Sequence, residues 1–346
     1  MENSMSRILI ETVVRKTLKD MKEDPERSIR KLVDMALNFS EGRFQTNFFQ
    51  IAQTMLENES SPYYALLRNL SSSVDTERLV CFGMNLGYNS CTLGAKKIRE
   101  NEQKLGCNIP WTVSFQTGRS QISEHLSEYQ TAVADGERLG IYAWMLFVRS
   151  HPQALLPLIH EHPDSAFFLF CDPDDIGTAF LDSISDMNNL MLVVRYEETA
   201  EALYAQIRDS GLLYSAYYTY GQEDMESIMN GDLFYSIQQT HSVFTVLLAQ
   251  QGCPDPIQNA VCQAVVQARD EQRYQTIPLE YYLDNRLIDK IISDDACSAW
   301  FDPSGILYSR AIEKNKVNCN LFDVGLLASF QSAFSKSRLR RTQDES

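Results

Sequence analysis

Gly87-Tyr88-Asn89-Ser90-Cys91-Thr92-Leu93-Gly94 is the stretch on which the reading of this chain turns. It follows an apolar run, Leu79-Val80-Cys81-Phe82-Gly83-Met84, that reads as a strand. Positions 87, 91 and 94 are separated by three and then two residues, and hold glycine, cysteine and glycine. Two glycines around one thiol describe a loop free to approach a ligand or another backbone closely. Cys91 sits where a helix pattern starts, and a helix N-terminus lowers a thiol pKa. As a buried or capping residue it needs no chemistry at all.

Outward from this loop the chain alternates strands and helices. Further strand candidates are Trp111–Phe115, Ile141–Val148, Ala166–Cys171, Leu190–Val194 and Leu212–Tyr218. Each is a near-continuous apolar or aromatic run, as expected for a parallel strand buried on both faces. Helical patterns lie between them, at 95–105, 123–139, 153–160, 176–187 and 201–210. Gly106, Gly140 and Gly211 stand at helix ends, where a left-handed cap is needed. The run amounts to about six βα units, which the right-handed crossover rule curls into a barrel or an open sheet. No G-x-G-x-x-G follows a strand, so a dinucleotide-binding sheet is disfavoured. The expected fold is α/β, a partial (β/α)6 TIM-like barrel.

Residues 1–74 read as a helical N-terminal region. Ile10, Val13, Val14, Leu18 and Met21 make one apolar stripe, and Phe44, Phe48, Ile51, Ala52 and Met55 another. Asp24-Pro25-Glu26 starts a helix that Gly42 stops. The barrel is expected over 75–225 and a mixed C-terminal extension over 226–334, mostly helical before its hairpin at 299–308. A basic tail, expected to be disordered, fills 335–346, with Lys336, Arg338, Arg340 and Arg341.

The composition narrows the partners. The chain has 346 residues, a formal net charge of −15 and 44% hydrophobic residues. Nucleic-acid binding needs clustered cations, which this chain has only in its tail. Its eight cysteines include no C-x2-C pair, and no metal site is expected from them. No signal-peptide pattern and no run of about 18 apolar residues occurs. A reduced cytoplasmic setting without membrane insertion is the expectation.

The loop resembles the C-x3-C-x2-C cluster loop of radical S-adenosylmethionine enzymes, with Gly87 and Gly94 in place of the outer cysteines. Asp295-Ala296-Cys297-Ser298-Ala299-Trp300-Phe301-Asp302-Pro303-Ser304-Gly305 resembles the hairpin that opens that family's SPASM-type extension. The resemblance covers roughly residues 78–310 and implies a six-unit partial barrel. It also implies a degenerate relative, since a cubane cluster held by three thiolates cannot be held by one. In Phe115-Gln116-Thr117-Gly118, the counterpart of the family's glycine-rich cofactor contact, only Gly118 matches, and no cysteine follows Cys297 after the turn: Ser309 and Arg310 stand there.

In an α/β barrel, polar groups at the C-terminal ends of strands face the ligand. Those ends give Asn85, Asn89, Gln116, Arg149, Asp172, Asp174, Asp175, Arg195, Glu197, Tyr218 and Tyr220. The ligand-binding candidates are Asn89, Gln116, Gly118, Asp172, Arg195, Glu197 and Tyr218. Arg195 suits a carboxylate or phosphate, and Asp172 or Glu197 an amine or hydroxyl. An ion pair explains Arg195 and Glu197 equally well, and Asp172-Pro173-Asp174-Asp175 is also a helix-capping sequence. The first expectation is a cluster-less barrel protein that binds a small molecule or a peptide. It would act as the accessory subunit of a modifying complex, with the N-terminal helices as a protein-partner surface and no cofactor. A second is an acid–base enzyme using Asp172, Arg195, Glu197 and Tyr218. A third is an active radical enzyme that draws on Cys81, Cys107 and Cys171. Only this last would need S-adenosylmethionine and a four-iron cluster.

Overall fold

The computed structural model describes residues 2–21, 23–38, 43–293, 295–309 and 319–335. Phe39, Gly42, Asp294, Arg310 and the basic tail from Lys336 to Arg341 lie outside the described residues. Among the described residues the fold is α/β with nine strands, mostly parallel. The chain divides into two compact units. One comprises Met1–Cys81, Asp172–Ser185 and Met191–Asp284; the other Phe82–Cys171, Asp186–Leu190 and Asn285–Ser346.

In the second unit, β1 (Thr112–Thr117), β2 (Ala143–Val148) and β3 (Ala166–Cys171) run parallel in that order. The hairpin forms as expected: β8 (Ala299–Phe301) pairs antiparallel with β9 (Leu307–Tyr308) and lies parallel to β1. Its turn is closed by the Asp302 carboxylate, which accepts the Ser304 and Ile306 N–H groups at 2.9 and 3.0 Å. Phe115 stacks on Trp144 and meets Tyr129 edge-on, one layer beneath the helix Arg119–Leu139. Every residue of β3 is buried.

In the first unit, β4 (Leu190–Arg195), β5 (Tyr214–Tyr220), β6 (Phe244–Ala249) and β7 (Ile277–Glu280) are parallel neighbours in chain order. The N-terminal helices Glu2–Asp20, Pro25–Asn38, Arg43–Leu56 and Pro62–Ser73 belong here. Val33, Leu56 and Tyr64 form their core, with Ile29, Ala52 and Leu67 against it. Tyr64 donates its hydroxyl to the Leu56 carbonyl at 2.6 Å and receives Arg30 Nε at 2.7 Å, so its burial leaves no polar atom stranded. Phe48 and Ile51, read from sequence as one stripe, are each 56% exposed.

Three sequence expectations are corrected. Leu79–Met84 is not a strand: Thr76–Gly83 is an α-helix, started by the Asp75 carboxylate accepting the Glu77 and Arg78 N–H groups at 2.9 and 3.2 Å. Met84–Gly94 continues it as a π-helical segment, so Gly87–Gly94 is not a loop after a strand. The region 222–290 contributes two strands, β6 and β7, as well as helices.

The π segment is fixed by close backbone approach. A Cβ on Gly94 would press into the Gly140 carbonyl oxygen and stand 2.8 Å from that of Asn89. Gly140 has φ +112, and a Cβ there would come within 2.5 Å of the Gly94 carbonyl. A Cβ on Gly87 would meet nothing within 4 Å. Urea unfolding of Gly94→Ala and Gly140→Ala is therefore expected to show losses of about 2–4 kcal/mol. Gly87→Ala, in open space on a helical backbone, is expected to lie within about 1 kcal/mol of the parent, on the stabilising side.

Candidate functional site

The seven ligand-binding candidates separate into distinct surroundings. Asn89 is buried, and its amide nitrogen donates to the Asp164 carbonyl at 2.8 Å and to Asn85 Oδ1 at 3.1 Å. Asn85 donates to the Pro163 and Ser165 carbonyls at 2.8 and 3.0 Å. Residues 163–165 lead into β3, and Gly140 precedes β2, so the π segment lies at the N-terminal ends of these strands. Ligands of open α/β sheets bind at the opposite end. Asn89 therefore clamps the turn before β3 through its amide nitrogen.

Cys91 shares that position. Burial pushes its thiol up to about 12, the reverse of the lowering expected at a helix N-terminus. The reason is that 91 lies inside a continuous helical run, from Thr76 to Leu105, where no free helix end exists. Among the described residues no group of three or more His, Cys, Asp or Glu side chains is placed to hold a metal ion.

Gln116 and Gly118 lie at the C-terminal end of β1. Gln116 is partly exposed, and Gly118 is the extended residue before the helix Arg119–Leu139. The same end of this unit brings Arg119 Nη1 within 3.2 Å of His151 Nε2.

Asp172, Arg195 and Glu197 do converge, in the other unit. Arg195 ends β4. Its Nε donates to Asp172 Oδ1 at 2.7 Å, and its Nη2 stands 2.7 Å from Glu197 Oε1. The Asp172 hydrogen bond, with the nearby Glu197 charge, raises the Arg195 pKa, so the guanidinium is a permanent cation between two carboxylates. Pro173–Asp175 forms a 3-10 turn with no side-chain cap, which leaves the Asp172 carboxylate to Arg195. All three side chains are between a third and two-fifths exposed.

Tyr218 is absent from this group, and Tyr217 takes its place. Tyr217 is the register partner of Arg195, so both point to one face, and its hydroxyl donates to Asp172 Oδ1 at 3.2 Å. Tyr218 points the other way and donates to Asp224 Oδ1 at 2.8 Å, while Asp224 Oδ2 accepts the Gly221 N–H. Burial, reinforced by that carboxylate, raises the Tyr218 pKa to about 12. Tyr220 follows on the same face, its hydroxyl on the fully buried Glu280 at 2.9 Å. Sequence reading missed Tyr217 because an aromatic run, Tyr214-Ser215-Ala216-Tyr217-Tyr218-Thr219-Tyr220, gives no alternation to say which face is which. Glu280 was missed with its strand, where Pro278 speaks against sheet structure.

The fold, with this geometry, has counterparts among solved structures. SuiB of Streptococcus suis bound to S-adenosylmethionine superposes with a TM-score of 0.52 at 8% identity, over 72% of this chain and 70% of that one. SuiB bound to the precursor peptide SuiA gives 0.48 at 8% identity over 69% of each chain. A third SuiB structure gives 0.48 at 10% identity, over 90% of this chain and 83% of that one. The first of these supports an α/β fold like that of SuiB. No family model matches the sequence, and no curated protein matches it.

The buried pair on β5 and the part-exposed ion pair at the end of β4 predict different costs. Tyr220→Phe removes a hydrogen bond from a fully buried carboxyl and is expected to destabilise by about 1–3 kcal/mol. Arg195→Met, at an exposed ion pair, is expected to change stability by less than about 1 kcal/mol. Chemical denaturation of the two variants beside the parent checks the ordering.

Proposed function

We propose that this protein binds a small ligand or a peptide on a radical-S-adenosylmethionine-like fold, without that family's cluster chemistry. The observation that carries the reading is the place of Cys91. It lies in a helical segment at the N-terminal ends of β2 and β3, and the Gly94 position has no room for any side chain. A three-thiolate cluster does not fit there. The segment that does follow β1, Gly118-Arg119-Ser120-Gln121, holds no cysteine.

Binding is proposed for the C-terminal ends of β4 and β5, at Asp172, Arg195, Glu197 and Tyr217. One guanidinium between two carboxylates leaves this group a net charge of −1. Nε and Nη2 of the guanidinium are already engaged, so a ligand meets carboxylate oxygens and a phenol. That chemistry suits an ammonium or hydroxyl group, as on an amine-bearing small molecule or a peptide. The exposed Phe48, Ile51, Ile8 and Leu9 on the N-terminal helices support their use as a protein-partner surface.

Two measurements test this. Anaerobic reconstitution with iron and sulfide is expected to leave the protein without the broad charge-transfer absorbance of a cluster. A cluster spectrum in the parent that is lost in Cys91→Ala overturns the reading. Calorimetric titration with S-adenosylmethionine, an amine-bearing probe, is expected to show saturable binding. Asp172→Asn and Glu197→Gln are each expected to weaken it about tenfold, the scale of one charge-assisted hydrogen bond. Binding that is unaffected by both variants places the ligand elsewhere.

A further inference from the structure

The helix Tyr281–Ile292 carries a carboxyl that the proposed ligand site does not use. Asp289 is fully buried, with 0% of its surface exposed. Its Oδ1 accepts the Trp111 backbone N–H at 2.9 Å, and its Oδ2 has no hydrogen-bond partner. Among the described residues no lysine, arginine or histidine hydrogen-bonds to it. A second carboxyl, Glu102 on the helix Ala95–Leu105, is also buried. It accepts the Ile109 N–H at 2.8 Å and the Ser293 hydroxyl. Ser293 is tied back to the Asp289 carbonyl through its N–H at 2.7 Å, and the Cys297 thiol donates to the Ser293 oxygen at 3.7 Å.

The charges around Asp289 are unbalanced. Glu102, from the neighbouring helix, and Asp295, beyond the helix end, oppose its ionisation. Arg286, on its own helix, and the Trp111 N–H favour it. Cys297 is held neutral by burial, and the buried Asn108 and Trp111 side chains bring no charge. Taking an unpaired carboxylate out of water is costly, so the proton stays on.

We propose that Asp289 is a proton-operated latch. With its proton on, it holds the C-terminal half of Tyr281–Ile292 against the 106–111 segment that leads into β1. With the proton lost, an unpaired charge sits in a dry space beside Glu102 and that contact loosens. The latch lies shortly before the Ala299 end of β8, so loosening reaches the strand that pairs with β1.

Burial, with Glu102 and Asp295 adding, raises the Asp289 pKa from 3.8 to about 8. A carboxyl raised in this way stabilises fully below its unfolded value. The contribution falls as pH rises and is gone once the folded value is passed. The window therefore runs from about pH 4 to about pH 8.

Hydrogen exchange at the Ile109 and Trp111 amides, corrected for intrinsic rates, reads the latch. Protection in the parent is expected to fall at least about tenfold between about pH 6 and about pH 9. Asp289→Asn keeps an acceptor for the Trp111 N–H and cannot ionise, so its protection should stay flat across that range. Flat protection in the parent, or the same fall in Asp289→Asn, overturns the proposal. Should Asp289→Asn fail to fold, Glu102→Gln decides: removing the neighbouring charge must move the parent's midpoint to lower pH. An unmoved midpoint overturns the latch as firmly.

Discussion

A parallel strand buried on both faces can offer titratable chemistry only at its ends. β3 shows the constraint in full: from Ala166 to Cys171 it is buried throughout, and the first residue able to reach solvent is Asp172. The polar groups of both units follow from it. Those at the N-terminal ends of β2 and β3, Asn85 and Asn89, spend their amides on the carbonyls of residues 163–165. Arg195 at the C-terminal end of β4 and Tyr217 beside it on β5 both meet the Asp172 carboxylate, and Arg195 stays part-exposed while Tyr217 is buried. Gly87–Gly94 belongs to the first set, in a helical segment rather than in a loop after a strand.

Energetics separate the two kinds of polar contact made at β4 and β5. Arg195 with Asp172 and Glu197 is an exposed ion triad, and such pairs contribute little to stability because water screens them and ordering long side chains costs entropy. Its geometry is fixed locally instead, by the end of β4 and the turn that follows β3. Tyr220 with Glu280 is fully buried, where an unmade hydrogen bond is expensive. Tyrosines on one strand thus serve different ends, decided by which face each occupies.

How much was legible follows the same division. The five strands from β1 to β5, the hairpin and the N-terminal helices were readable because each has a long apolar run or clear 3.6-residue periodicity. Leu79–Met84 was not, since a short apolar run is equally compatible with a buried strand and a helix. The deciding signal was Asp75, whose carboxylate caps a helix start, with Glu77 in the first turn. Phe244–Ala249 posed the same ambiguity in reverse. Of the candidate site, Asp172, Arg195 and Glu197 were legible from strand-end position alone. Tyr217 was not, because choosing between it and Tyr218 requires the register of β4 on β5.

Two buried carboxyls show why burial alone does not assign a role. Glu280 accepts the Tyr220 hydroxyl through one oxygen and the Leu283 N–H through the other, so each oxygen has a donor in place. Asp289 has a donor on one oxygen and none on the other, with a second acid nearby. The first arrangement satisfies a polar group in a core, as buried polar groups generally are. The second is stable only while a proton neutralises it. An asparagine of similar size would accept the same Trp111 N–H without carrying a charge. What an aspartate adds there, and an asparagine would not, is dependence on the proton.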